Sequence, residues 1–371
     1  MLTLPEKLRK AMERTVKELS VKNNVYGIGL FGSWSRGEAE LSSDVDLLIL
    51  DGTSLAYEYV ERIQAGGFLM DLDHVPRQWI HGPIPPEIDQ KLYEMQILYD
   101  RDWSLTNTKL LMGKSYASPE RVEIRTEAHV VESDIYLSRA TSALSRQDFR
   151  SSYLFAVVAL ENILRVPIEI SLGSFSNSRF IETLESSLAK LGMHNLFNGY
   201  VEIARLSKVD DADVRNKLGL FKTIWDEINV VAKQHIPTLE SSHFTVRTKL
   251  NYYLNPAFLQ GAVRRTISLI DSGKTAEASH YLNNILIDIA ENYVWLKSSI
   301  ENVKIDYTTL IRSFESLEEN NPRSYENLLK FLNLAEVDKT TVSDTVEKIR
   351  AIIIETRLDR KDLIKNHLLK S

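Results

Sequence analysis

The chain has 371 residues, 43% apolar and 26% charged, which suits a folded protein of two or three domains and excludes wholesale disorder. Its formal charge of −6 disfavours an extended nucleic-acid footprint, which needs clustered Lys and Arg. It has no cysteine, so disulfides, thiolate zinc sites and cysteine nucleophiles are excluded.

The opening "MLTLPEKLRKAMERTVKEL" is expected to be an amphipathic helix from Pro5 to about Val21, with Leu4, Leu8, Met12, Val16 and Leu19 on one stripe. No apolar h-region follows its basic residues, so it does not read as a signal peptide. No apolar run is long enough to span a bilayer. The expectation is a cytoplasmic protein with no membrane partner.

Next, "VYGIGLFG" (25–32) and "DVDLLIL" (44–50) read as strands, 54–64 as a helix stopped by "AGG" (65–67), and "FLMDLDHV" (68–75) as a strand. "ILYD" (97–100) supplies a fourth strand after the Pro-rich bend "HGPIPPE". Strands and helices mixed over so short a span predict a small sheet with helices on one side.

Beyond Lys114 the pattern is helical, with helices expected at 118–145, 149–166, 177–191, 212–234, 257–272, 276–299, 306–319, 323–333 and 340–368. "GKSYASPE" (113–120) and the softer "QHIPTLESSH" (234–243) mark boundaries. The fold class expected is therefore α+β: a mixed-sheet domain at 1–112, then an all-α helical-bundle region divided into 113–238 and 239–371. The stretches 139–164 and 265–290 align without gaps, with Leu144/Ile270, Ala156/Leu282, Leu160/Leu286 and Ile163/Ile289 on helical faces. Paired amphipathic hairpins and chance account for this equally well.

The most informative stretch is "GLFGSWSRGEAELSSDVDLLIL", Gly29 to Leu50. Asp44 and Asp46 are two apart, so on a strand their carboxylates share a face while Val45 points into the core. Side by side they repel, unless a divalent cation holds them. On that reading Asp44→Asn leaves the cation-free fold unharmed or slightly stabilised. Upstream, Gly32 permits close backbone approach, the Ser33 hydroxyl and nearby N–H groups can hold phosphate oxygens, and Arg36 adds fixed positive charge. Phosphate donors on one side and cation-holding carboxylates on the other fit a nucleoside triphosphate between them.

This arrangement resembles the polymerase-β-like nucleotidyltransferase superfamily, whose signature is an apolar residue, Gly-Ser, about ten residues, then Asp-apolar-Asp. Here it is Phe31, Gly32, Ser33, the ten residues from Trp34 to Ser43, then Asp44, Val45, Asp46. "GSWSRG…SDVDLLI" is most similar to the minimal and kanamycin-type nucleotidyltransferases, and the likeness covers about the first hundred residues. The resemblance implies a third carboxylate from a neighbouring strand. "FLMDLDHVP" offers Asp71 and Asp73 on the same face; Asp71 is preferred because "LDHVPRQWI" follows it as in the kanamycin-type enzymes.

The resemblance implies transfer of a nucleoside monophosphate, AMP by preference, from an NTP to an acceptor hydroxyl on a small molecule or a protein. Two Mg2+ ions would sit on Asp44, Asp46 and Asp71, with Mn2+ able to substitute. Gly32, Ser33 and Arg36 would bind the nucleotide, and Asp71 would orient the acceptor side. The alternative is a non-catalytic module that keeps the fold and binds nucleotide or a protein partner through its helices.

Glu161 and Arg165, one helical turn apart, match a catalytic pair in kanamycin-type enzymes, but an ordinary surface ion pair explains them equally well. Trp34 can stack on a base or, as preferred here, cap the core. "RKDLIKNH" (360–367) is faintly similar to the Arg…His pair of HEPN-type ribonucleases, a spacing common by chance in charged helices. Tyr252, Tyr253, Tyr281 and Tyr293 can line a groove, but aromatic residues at helical spacing are usually core.

Overall fold

The computed structural model describes residues 4–40, 42–304, 306–315 and 322–368. The chain divides into two compact units, one of residues 1–118 with 243–268, the other of 119–242 with 269–371. Residues 243–268, assigned by sequence to a third domain at 239–371, thus group with the N-terminal unit.

In chain order the first unit begins with α1 (Glu6–Ser20), β1 (Val25–Phe31), α2 (Gly32–Arg36), β2 (Val45–Asp51), β3 (Tyr59–Ala65) and β4 (Phe68–Pro76). It continues with α3 (Asp89–Glu94), β5 (Gln96–Asp100) and α4 (Ser104–Ser115). The five strands form one mixed sheet in the order β3-β4-β2-β1-β5, with β2 and β4 parallel and every other pair antiparallel. Alternation along the strands gives the sheet two apolar faces. Val45, Leu47, Ile49, Met70 and Leu72 pack with the Leu8, Met12 and Leu19 stripe of α1. Leu48, Leu50 and Val75 face the other way, onto Leu92, Met95, Leu105 and Met112. The sheet is therefore covered on both sides, not one.

A helix over 54–64 does not form. Residues 59–65 are β3, and the "AGG" expected to stop a helix instead turns a hairpin. Gly66 and Gly67 have φ of +59° and +88°, the left-handed pair that a two-residue hairpin turn demands. Tyr59, Val60 and Ile63 add strand preference. The tight turn fixes the register, Ala65 facing Phe68 and Arg62 facing Asp71.

The helices that follow are α5 (Pro119–Ser145), α6 (Phe149–Ile170), α7 (Phe180–Lys190), α8 (His194–Ile203), α9 (Asp211–Gln234) and α10 (Ile236–Ser241). Then come α11 (Phe244–Tyr253) and α12 (Pro256–Asp271), which straddles the division between the units, and α13 (Thr275–Glu301). The last are α14 (Leu310–Glu315), α15 (Pro322–Phe331) and α16 (Lys339–Leu368). Of the helix expected at 306–319, residues 316–319 lie outside the described residues. In the second unit α5 and α6 pack as a pair with α16 along both, and α9 lies against α13 and α15. Within the first unit, α11 packs on β3. Both halves of the gapless internal alignment are helix–turn–helix. Among the described residues, no helix is long and apolar enough to cross a membrane.

Candidate active site

The site lies where β1 ends and β2 begins. Phe31 pairs with Asp46, and the chain then turns at Gly32 into α2. Gly32 has φ of +75°, and a Cβ placed there would come within 2.2 Å of the Asp46 Oδ2. Only glycine lets the turn close this tightly over a carboxylate. Asp46 neighbours Asp71 across the parallel β2–β4 pair, and Asp44 lies just before β2. Asp44, Asp46 and Asp71 are thus brought together beside the Gly32–Ser33 turn. Burial, then the charges of Asp71 and Asp44, push the Asp46 carboxyl well above the ordinary aspartate range.

Two residues that sequence reasoning passed over, Arg62 and Arg265, and one that it read as core, Tyr252, complete the cluster. From β3, Arg62 grips Asp71 through two bonds, Nε to Oδ1 and Nη2 to Oδ2, both 2.6 Å, and also donates to Asp44. Arg265 of α12 donates to the other Asp44 oxygen. The Tyr252 hydroxyl of α11 donates to Asp71 Oδ2 at 2.9 Å. The Arg62 guanidinium lies 5.3 Å from the Tyr252 ring centre and 5.2 Å from that of Phe258, over faces that favour a cation. Burial works against the Asp44 carboxylate, but Arg265 and Arg62 outweigh it and hold its pKa below the usual value. Arg62 itself is raised, because its carboxylate partners outweigh its burial.

The turn has an internal partner too. Glu94, at the end of α3, accepts from the Gly32 N–H and from Arg36, each at 2.7 Å, and Arg36 also reaches Glu38. A carboxylate therefore sits on the donors that sequence reading reserved for phosphate. The Ser33 hydroxyl makes no hydrogen bond to the described residues. Asp73 is separated from the cluster in its pairing, held by Lys91, which also reaches Glu58 at 2.8 Å. Trp34 packs against the core beneath the turn.

A divalent cation fits this donor set by its chemistry. Three carboxylates meet, and repulsion from the other two helps to drive the Asp46 carboxyl upward, a cost that a cation would relieve. As the side chains stand, Arg62 and Arg265 occupy oxygens of Asp71 and Asp44. Accordingly, no group of three or more His, Cys, Asp or Glu among the described residues is arranged to grip an ion.

Elsewhere, Glu161 and Arg165 do not form a surface ion pair. Glu161 is buried, accepting from the Tyr200 hydroxyl at 3.1 Å and lying 3.4 Å from His280 Nε2. In α16, Arg360 is buried and paired with Glu127 of α5 at 2.5 Å, a packing contact between helices. Tyr281 and Tyr293 are buried as expected.

Residues 9–72 match the family model described as "Nucleotidyltransferase domain". That match spans the Gly32–Asp46 signature and agrees with its resemblance to the polymerase-β-like superfamily. Among solved structures, the chain is similar to a nucleotidyltransferase-like protein from Exiguobacterium sibiricum, at 12% identity over 87% of this chain and 90% of that one, with a TM-score of 0.33. No curated protein matches the chain.

Proposed function

We propose that the N-terminal unit transfers a nucleoside monophosphate, AMP by preference, from an NTP to a hydroxyl of a small molecule or a protein. The observation that supports this reading is the seating of Asp46 between Gly32 and Asp71, with Asp44 beside them. In this reading Asp44, Asp46 and Asp71 would hold Mg2+, which when bound would supply charge neutralisation along the triphosphate. The Gly32 N–H, the Ser33 hydroxyl and Arg36 hold phosphate oxygens, the first and last exchanging the Glu94 carboxylate for them. For a cation to bind there, Arg62 would have to leave both Asp44 and Asp71, and Arg265 to leave Asp44. Asp71 orients the acceptor hydroxyl and takes its proton as the oxygen attacks the α-phosphorus and pyrophosphate departs.

The alternative is a domain that keeps the fold without the chemistry. It draws support from the same ion pairs, since Arg62, Arg265 and Glu94 already satisfy the groups that a metal–nucleotide complex would need. Incubation with each labelled NTP, Mg2+ or Mn2+ and a panel of hydroxyl acceptors separates the two. Pyrophosphate release coupled to acceptor labelling supports the transferase. Tight NTP binding without release across the panel supports the binding module.

A further inference from the structure

The helical unit contains a pocket of about 540 Å³, counting the solvent at its mouth, between α6, α9, α13 and the segment after α15. One wall is apolar, built by Leu154, Val157, Leu206 and Ile287. The other is polar, and its groups are short of partners. Lys217 is 8% exposed, and its Nζ makes one hydrogen bond, to the Ser279 hydroxyl at 3.0 Å. No carboxylate lies within ion-pair distance of it among the described residues, and burial pushes its ammonium down to about 7. Two further lining groups, His280 Nδ1 and Asn283 Oδ1, are buried without a hydrogen-bond partner, and His280 is only 2% exposed. Glu161, whose Oε1 accepts from Tyr200 and lies near His280 Nε2, adds a carboxylate to this wall.

Buried polar groups left unsatisfied cost free energy, so several of them facing one pocket point to a ligand that completes them. What is missing has two signs. Lys217 calls for an anionic acceptor, and Arg205 at the rim adds positive charge. Asn283 Oδ1 and the Glu161 carboxylate favour a cationic donor. We propose that this pocket binds a small zwitterion, an aliphatic amino acid, with its carboxylate on Lys217, its ammonium on Asn283 and Glu161, and its side chain against the apolar wall. The site lies wholly in the helical unit and does not depend on the transferase reading.

The test uses the full chain with alanine, valine, leucine and isoleucine as probes, measured by calorimetry and by thermal shift. At least one should bind, whereas its decarboxylated amine and its N-acetyl derivative should bind at least about tenfold more weakly, each having lost one charge. Lys217→Met, which keeps an unbranched apolar side chain but removes the ammonium that lies 4.9 Å from the Phe331 ring centre, should weaken the amino acid by a similar factor. Should Lys217→Met fail to melt cooperatively, Asn283→Leu at the half-buried wall provides the same test. The proposal is overturned if none of the four probes binds, if the amine binds as well as its amino acid, or if the folded variant binds as well as the wild type.

Discussion

Arg62 lies directly across the β3–β4 hairpin from Asp71 and holds both of its carboxylate oxygens at 2.6 Å. The pair is buried, and the same guanidinium reaches Asp44. One arginine thus balances two of the three carboxylates at the candidate site.

Removing that arginine should be costly. Arg62→Met leaves Asp71 without its bidentate partner in a buried setting, a class of change expected to destabilise by about 3–5 kcal/mol. Chemical denaturation of the full chain, followed by a probe in the N-terminal unit, measures it. Adding Asp71→Asn to Arg62→Met should recover part of the loss, because the uncompensated charge is gone. A loss below about 1 kcal/mol for the single variant would show that the pair is not buried in solution.

Asp44→Asn should now destabilise the cation-free protein, reversing the sign expected from sequence. Two facing carboxylates suggested only repulsion, whereas Arg62 and Arg265 both donate to Asp44. Its pKa is held down, so its contribution is present above the unfolded value, ordinarily about 3.9, and is lost as the pH falls through the lower folded value. The wild-type advantage over Asp44→Asn should therefore be full at pH 7 and shrink below about pH 4. A difference in melting temperature that stays constant from pH 7 to pH 3 would contradict the pairing.

Asp46→Asn should abolish pyrophosphate release while leaving the far-ultraviolet circular dichroism unchanged, since it removes charge from the reaction centre and leaves the core packing in place. Arg36→Ala should be milder, removing a charge-assisted contact of about 1.5–3 kcal/mol and with it the Arg36 ion pair of Glu94. Transfer that survives Asp46→Asn would place the chemistry outside this cluster.

Lys217 should give the helical unit an alkaline stability slope. Burial lowers its pKa from an ordinary 10.5 to about 7, with Asp213 the one charge favouring the ammonium. Between those values the unfolded chain binds more protons than the folded one. Stability from this group therefore rises with pH across that window, by up to about 1.4 kcal/mol per unit, and is flat below it. Comparing unfolding free energies from pH 6 to 9.5 for wild type and Lys217→Met isolates the slope, which the variant should lack. Equal slopes would mean that the amine is hydrated.

The sequence by itself determined the parts of the site that are local. A glycine at a strand end, a hydroxyl after it and two acids of equal strand parity are fixed by spacing and pleat, so Gly32, Ser33, Asp44 and Asp46 were legible. Asp71 was legible once a neighbouring strand was recognised, because parity put it on the same face. Tertiary structure decided what meets those acids. Arg62 was hidden because 54–64 read as helical; only the paired left-handed glycines at 66 and 67 make the hairpin that sets it opposite Asp71. Tyr252 and Arg265 stand 181 and 221 residues from Asp71 and Asp44, and no periodicity reports a contact over such a separation. The buried state of Glu161 and Lys217 was equally hidden, because a charge on a helix reads as solvent-facing until the packing of α6, α9 and α13 shows which side is covered. Spacing sets which way a side chain points along its own element, and only packing sets what it finds there.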